Sequence, residues 1–114
     1  MIYLASPYTH EDPNIRLARF FAAQDATAAL IASGKLVFSP IVYTHAIALK
    51  YNLPHTIDFW QSFCLGMLKK ADMLFVLCLP DWQSSRGILT EIEFADMHNI
   101  HIKYLTEDLQ YREV

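Results

Sequence analysis

Glycine is scarce in this chain, with only three among 114 residues. The P-loop and the G-x-G-x-x-G turn both need several glycines at fixed spacing, so the sequence excludes a glycine-rich phosphate cradle. Cysteine is scarcer still: Cys64 and Cys78 lie inside apolar runs, and no Cys/His spacing typical of zinc sites occurs. We predict two reduced core thiols in a cytoplasmic protein that uses neither a metal nor a cofactor.

Basic charge and long apolar runs are also missing. The formal net charge is −3, so the chain lacks the positive footprint with which proteins bind nucleic-acid polymers. No apolar run approaches the roughly 20 residues that span a membrane, which argues against a membrane partner. What the chain does have is 54% hydrophobic residues, above the roughly 45–50% of soluble domains. We expect one domain, residues 1–114, that buries its excess apolar surface in the interfaces of a homodimer or larger assembly.

Apolar runs and helical patterns alternate along the sequence. The predicted strands are residues 2–5, 36–38, 73–79 and 100–105, and the predicted helices are residues 13–33, 44–50, 57–70 and 85–98. The strands are short runs without polar alternation, as in parallel sheets covered on both faces. The sequence therefore predicts an α/β fold, a three-layer sandwich with a parallel, flavodoxin- or Rossmann-like sheet.

Polar residues cluster in three loops that follow predicted strands, at residues 6–10, 39–45 and 80–87. Ligands of such sheets bind beyond the carboxyl ends of the strands, so we expect these loops to form a site. Trp82 is predicted to be exposed in the third loop, where it either stacks on a ligand or, as we favour, fills an interface.

Glu91 is the most interesting carboxylate, because it lies in the first turns of the last predicted helix, at the edge of its apolar face. The positive end of the helix should keep it ionised, as a nucleophile or an oxocarbenium stabiliser requires. From spacing alone, however, a surface glutamate is the favoured interpretation. Glu93 points further round the helix and should face solvent.

Four sequence segments carry a resemblance to a known family. They are IYLASPY at residues 2–8, FSPI at residues 38–41 followed by His45, LPDW at residues 79–82, and SRGILTEIEFA at residues 85–95. Together they resemble DUF1937, a bacterial and phage family of unknown function. That family is similar to nucleoside 2-deoxyribosyltransferases and to deoxynucleoside 5′-monophosphate N-glycosidases. The resemblance covers residues 1–105, and its most specific part is S-x-G-x-x-x-E-x-x-x-A.

The resemblance implies roles for several residues. Glu91 would attack the anomeric carbon of the sugar, and Tyr3 would hydrogen-bond that glutamate. Substrate contacts are implied for Ser6, Pro7, Tyr8, His45, Ser85 and Gly87. Ser85 takes the place of an aspartate that holds a free 5′-hydroxyl in the transferases, which favours a 5′-phosphate at this helix start. Arg16 and Arg86 are the candidates for pairing with that phosphate.

One departure from the resembling enzymes concerns the acid that protonates the leaving base. Those enzymes carry a second carboxylate in the helix before the third strand, and Cys64 occupies that position here. A thiol of ordinary pKa is a poor acid substitute. Asp58 and Gln61, earlier in the same predicted helix, are the two candidates to take part of the role, and we choose Asp58 as the catalytic residue.

Three functions remain open at this stage. The first is cleavage or transfer at the N-glycosidic bond of a nucleoside or nucleoside 5′-monophosphate through a glutamate nucleophile. The second is a non-catalytic nucleotide-binding or sensing module, and the third is a structural subunit. The expected partner in the first two cases is a small nucleoside or nucleotide.

Overall fold

A computed structural model describes residues 1–54 and 56–112, and it arranges all of the described strands in one sheet. The strands are β1 (Ile2–Ala5), β2 (Val37–Phe38), β3 (Met73–Leu77), β4 (His101–Leu105) and β5 (Tyr111–Arg112). Their order in the sheet is β2-β1-β3-β4-β5, and β1 to β4 all run parallel. The predicted parallel α/β architecture is confirmed.

The edge strand β5 was not predicted, and it pairs antiparallel with β4. The chain reverses in a tight turn in which the amide of Thr106 donates to the carbonyl of Gln110 at 2.9 Å. Leu109 in this turn has a φ of 64°, a left-handed conformation that apolar residues rarely adopt. Only two residues pair after the turn, which is too short a segment to give a strand pattern in the sequence.

Each helix begins at the kind of residue that caps helices. The helices are α1 (Pro13–Ala32), α2 (Pro40–Lys50), α3 (Ile57–Lys69) and α4 (Arg86–Met97), and a 3-10 turn, η1 (Trp82–Ser84), precedes α4. The side chains of Asp12, Ser39 and Ser85 accept hydrogen bonds from backbone amides in the first turns of α1, α2 and α4.

Helix α2 begins earlier than the sequence analysis expected. We interpreted Ser39-Pro40 as the close of a strand, with a helix from Thr44. Instead, Ser39 is the N-cap and Pro40 occupies the first helical position, where its missing N–H has no intrahelical partner to lose. The predicted helix was therefore one turn too short, and the prediction placed Ile41 in a loop.

Two apolar clusters lie on opposite faces of the sheet and establish the three layers. On one face, Tyr3 and Val76 pack with residues of α3 and α4, including Leu68 and Ile88. On the other face, Leu4, Phe75 and Leu77 pack with residues of α1, including Ala26 and Leu30. Strand β3 is almost wholly buried because helices cover both of its faces.

The order of the strands reverses between β1 and β3. The chain passes from β1 to β2 on one side, and later enters β3 on the other side of β1. At such a switch point the loops after the two strands diverge and leave a crevice at the carboxyl edge of the sheet. None of the helices in the described part of the chain combines the length and apolar composition of a membrane crossing.

Candidate functional site

A cavity of about 580 Å³ opens at this switch point. Its walls come from the loop after β1, from α1 and α2, from the first turns of α3, and from residues 81–91. The predicted site residues that line it are Ser6, Tyr8, His45, Asp58, Ser85, Gly87 and Glu91. A volume of this size is typical of small-molecule sites.

Glu91 lies buried in the cavity wall, with 6% of its surface exposed. It shares a helix face with Ile88 and Ala95, three and four residues away, and both of these pack against the sheet. The hydroxyl of Tyr3, which is fully buried on β1, donates a short hydrogen bond to the Glu91 carboxylate. The predicted pair is therefore present, and Glu93 is exposed as expected.

Burial raises the pKa of Glu91 to about 7, and the hydrogen bond from Tyr3 opposes the rise. Our expectation that the helix end keeps this group ionised was wrong. Desolvation outweighs the dipole because Glu91 lies beyond the first turn of α4, where the field of the helix end has fallen off. The carboxyl is thus close to half-protonated at neutral pH.

Cys64 of α3 also lines the cavity and interacts with the Tyr3 hydroxyl. Burial and the neighbouring Glu91 carboxylate raise the pKa of its thiol to about 11. The pKa of Tyr3 is raised well above its usual value by burial, by Glu91 and by Cys64. Cys64 and Tyr3 are therefore both neutral at pH 7, and Glu91 is the group of the three that titrates there.

Asp58 lies at the cavity wall, but it is solvent-exposed and ion-paired with Arg86. Arg86 was a candidate for phosphate pairing, and this ion pair compensates its charge. Exposed pairs contribute little to stability, on the order of 0–1 kcal/mol. The effect of the Asp58–Arg86 pair on the site is electrostatic. Among the described residues, the wall at the start of α4 has no cation whose charge is uncompensated.

The start of α4 is shaped by Ser85 and Gly87. The Ser85 hydroxyl accepts from the amide of Ile88 at 3.3 Å, which is the N-cap interaction, and its own proton remains able to donate. A Cβ at Gly87 would lie 3.4 Å from Cδ1 of Ile57, so a larger side chain there would narrow the cavity.

The opposite wall contains a partly buried cluster of three rings, those of Tyr8, Phe20 and His45. His45 of α2 stacks on Phe20 of α1 with ring centroids 4.1 Å apart, and its Nδ1 lies 2.5 Å from the hydroxyl of Tyr8. These contacts fix both predicted residues in the cavity wall.

Ser6 and Pro7 follow β1 directly. Pro7 is fully buried and does not line the cavity, in contrast to the predicted substrate contact. Ser6 does line it, is 7% exposed, and carries the one buried side-chain oxygen in the described part of the chain that has no hydrogen-bond partner. A buried hydroxyl without a partner costs free energy until a ligand or water satisfies it.

Sequence reasoning missed Arg19 and His10. It named Arg16, whose guanidinium instead donates to the carbonyl of His10 and does not line the cavity. Arg19 lies one turn further along α1, donates to the carbonyl of Thr9 at 3.1 Å, and does line it. The i, i+3 spacing of the two arginines was the available signal, because such residues share a helix face.

The prediction for Trp82 was also wrong. Trp82 is buried in the core and packs against Tyr104, with ring centroids 5.5 Å apart. The η1 turn places it there, because Trp82 donates its amide to the carbonyl of Leu79 and turns back onto the sheet. Trp60 of α3 is the tryptophan that lines the cavity.

The arrangement offers one titrating carboxylate beside a mixed apolar and polar cavity. No three of the His, Cys, Asp and Glu side chains in residues 1–54 and 56–112 come together as a metal-ion site would require. A carboxylate with a pKa near 7 can act at neutral pH as a nucleophile in its ionised form or as an acid in its protonated form.

A comparison with curated proteins found no match. Residues 1–107 match the family described as "Domain of unknown function (DUF1937)". That match spans nearly the whole sequence and includes every residue of the candidate site described above. The chain belongs to the DUF1937 family.

Proposed function

We propose that this protein cleaves the N-glycosidic bond of a nucleoside or nucleoside 5′-monophosphate in the cytoplasm, with Glu91 as the nucleophile. The proposal depends most on the buried Glu91 carboxyl, hydrogen-bonded by Tyr3 and open to the cavity at the sheet's switch point. The similarity of the sequence motifs to nucleoside 2-deoxyribosyltransferases and to monophosphate N-glycosidases supports the same assignment.

In the proposed reaction, an oxygen of ionised Glu91 forms a bond to C1′ while the bond from C1′ to the base nitrogen breaks with its electron pair. The base nitrogen then takes a proton. A water molecule, or a second base in a transfer reaction, attacks C1′ and releases Glu91. Tyr3 would hold the carboxylate in the orientation for attack, since its hydroxyl stays neutral and donates.

The proton for the leaving base has two possible donors in the cavity wall. Cys64 occupies the position of the expected acid, but a thiol with a pKa of about 11 gives up its proton reluctantly at pH 7. Asp58 lines the same cavity, and its carboxylate, although paired with Arg86, is reached by solvent, so it can relay a proton from solvent to the base nitrogen. We assign the acid role to Asp58, and we expect turnover to be slow.

The cavity walls are suited to both parts of a nucleoside. Apolar side chains of Ile41, Ala48, Ile57 and Trp60 provide surface against which a planar base can pack. Ser6, Thr44 and Ser85 provide hydroxyl groups for the sugar. Ser85 and Gly87 lie at the start of α4, the same helix that carries Glu91.

The test is a chromatographic screen for free base after incubation with a panel of nucleosides and their 5′-monophosphates. Glu91→Gln keeps the size of the side chain and an acceptor for Tyr3, so it serves as the folded, inactive control. We expect base release from at least one substrate, and no detectable release by Glu91→Gln. Equal release by both proteins would remove Glu91 from the mechanism.

A second function, nucleotide binding without turnover, is favoured by the thiol of Cys64 at the acid position. In that case the screen detects no free base, and a nucleotide still raises the melting temperature. A ligand at 100 times its Kd stabilises the folded state by about 2.7 kcal/mol, which is readily measured. Failure of every nucleotide to stabilise the protein would contradict both functions.

A further inference from the structure

Charge is distributed unequally between the two walls of the cavity. We call the side formed by residues 6–10, α1 and α2 the α1–α2 wall, and the side formed by α3 and residues 81–91 the α3–α4 wall. All three described carboxylates that line the cavity, Asp58, Asp81 and Glu91, belong to the α3–α4 wall. The α1–α2 wall contributes none. An anionic group is therefore repelled from one wall and not from the other.

The two arginines that line the cavity differ in whether a carboxylate compensates their charge. Arg86 of the α3–α4 wall is ion-paired with Asp58. Arg19 of the α1–α2 wall uses one nitrogen to hold the carbonyl of Thr9, and no carboxylate in the described part of the chain lies within ion-pair distance of it. A guanidinium carries five N–H donors, so Arg19 keeps donors for an incoming anion.

Two further donors lie on the same wall. The Nδ1 of His10 accepts the amide of Asp12 at 2.9 Å, which leaves Nε2 as the protonated ring nitrogen. Ser6 lines the cavity and is more than nine-tenths buried, and its hydroxyl oxygen lacks a hydrogen-bond partner. A phosphate oxygen would accept from either group and would satisfy the Ser6 hydroxyl.

We propose that the α1–α2 wall is the anion subsite of this cavity, in which Arg19, His10 and Ser6 bind a phosphate group. The group would be the phosphate of a sugar phosphate or free inorganic phosphate. The sequence motifs favoured the start of α4 instead, where Ser85 lies beside the carboxylates of the α3–α4 wall. The subsite deepens the proposed function, but it can be tested without any turnover.

The chain offers a matched control for Arg19. Arg16 lies on the same helix and likewise holds a carbonyl of the loop after β1, but it does not line the cavity. Arg16→Gln and Arg19→Gln each remove one charge and one such hydrogen bond. Ser85→Asp keeps an N-cap side chain and adds a negative charge at the start of α4.

The experiment titrates intact, isotope-labelled protein with inorganic phosphate, and separately with ribose 5-phosphate and ribose, and follows the backbone amides by nuclear magnetic resonance. We expect phosphate to shift the amides of Ser6 and of residues 8–10. We also expect Arg19→Gln to weaken phosphate binding about tenfold or more, as for a lost charge-assisted contact. Arg16→Gln should change the affinity less than about threefold, and Ser85→Asp should weaken phosphate binding less than Arg19→Gln does. Tighter binding of ribose 5-phosphate than of phosphate identifies a sugar phosphate as the ligand, and equal binding identifies free phosphate.

Three results would overturn the subsite. They are the absence of phosphate binding to the wild-type protein, equal losses in Arg16→Gln and Arg19→Gln, and a loss confined to Ser85→Asp. The last result would place the phosphate at the start of α4. Base release without phosphate binding would reject the subsite and leave the proposed glycosidase function intact. Phosphate binding without base release would support the subsite and reject the proposed glycosidase function.

Discussion

The hydroxyl of Tyr3 donates to the carboxylate of Glu91 across 88 positions of sequence, and this contact joins the first strand to the last helix. Both side chains are buried, so Tyr3 in the core holds a carboxylate that lines the cavity. A carboxyl in such a place couples stability to protonation, because ionising it in the folded state costs free energy that the unfolded chain does not pay.

The first prediction concerns this coupling. The folded-state pKa of Glu91, about 7, lies above the unfolded value of 4.5. The folded protein therefore binds the extra proton between these pH values, and its stability falls as pH rises through about 7. Glu91→Gln removes this dependence. Relative to the wild type, the variant should gain about 2–3 kcal/mol of unfolding free energy between pH 5 and pH 8.5.

Urea unfolding of both proteins at the two pH values measures this difference. Glu93→Gln, which removes an exposed carboxylate two residues away, is the control and should follow the wild-type pH dependence within about 0.5 kcal/mol. Parallel pH dependences for wild type and Glu91→Gln would mean that Glu91 titrates normally in the folded state.

The second prediction concerns the pH dependence of base release. A nucleophilic carboxylate must be ionised, so kcat/KM should rise with pH and level off above about 7. Tyr3→Phe removes the hydrogen bond that lowers the pKa of Glu91, so the midpoint should move to higher pH. The activity of this variant should fall less than that of Glu91→Ala. A midpoint that stays near 4.5 in both proteins would contradict the pKa assignment.

The sequence predicted the layers of this fold well, because buried parallel strands and helix caps leave local patterns. Asp12, Ser85 and the apolar run of β3 are all visible in a window of a few residues. The pairing of Tyr3 with Glu91 could not be deduced from such windows, and it came only from the family resemblance. Distant contacts of this kind depend on the complete fold.

The same limit explains the errors at the site. The burial of Glu91, the compensation of Arg86 by Asp58 and the position of Trp82 each depend on a neighbour far away in sequence. Charge and helix position alone suggested an ionised glutamate, a free arginine and an exposed tryptophan. The physical terms that decided otherwise were desolvation, ion pairing and the packing of a large aromatic side chain.

The third prediction concerns assembly. Tyr43 of α2 and Phe63 of α3 stack with ring centroids 5.9 Å apart, and both are exposed, as is Phe59. This exposed aromatic patch lies beside Trp60 of the cavity wall. We expect a homodimer that covers the patch, and Tyr43→Ser with Phe63→Ser should weaken it about tenfold or more. Light scattering over a concentration series measures the dissociation.

Ile31→Ser is the control for that experiment, since Ile31 is 55% exposed and belongs to α1, which packs on the opposite face of the sheet from α3. It should leave the assembly unchanged. A monomeric wild type at micromolar concentration would contradict the prediction, as would equal weakening by the control.

The fourth prediction concerns the acid. If the Cys64 thiol limits protonation of the leaving base, Cys64→Asp should raise the rate of base release, because a positioned general acid contributes up to about 100- to 10,000-fold. We expect at least a tenfold increase below pH 7, where the new carboxyl holds its proton. Cys64→Ser, which is similar in size and cannot act as an acid at this pH, should not increase the rate.

The Cys64→Asp variant should be less stable than the wild type, because it places a second carboxyl next to Glu91 in a desolvated wall. Two neighbouring carboxylates disfavour joint ionisation, so the pKa of one of them should rise further and the rate should fall again at high pH. Unfolding curves for the Asp and Ser variants separate this stability cost from any effect on rate. An unchanged rate in folded Cys64→Asp would show that a carboxyl at position 64 does not deliver the proton to the base. Asp58→Asn should lower the rate of base release by the wild-type protein, because Asp58 is the assigned acid.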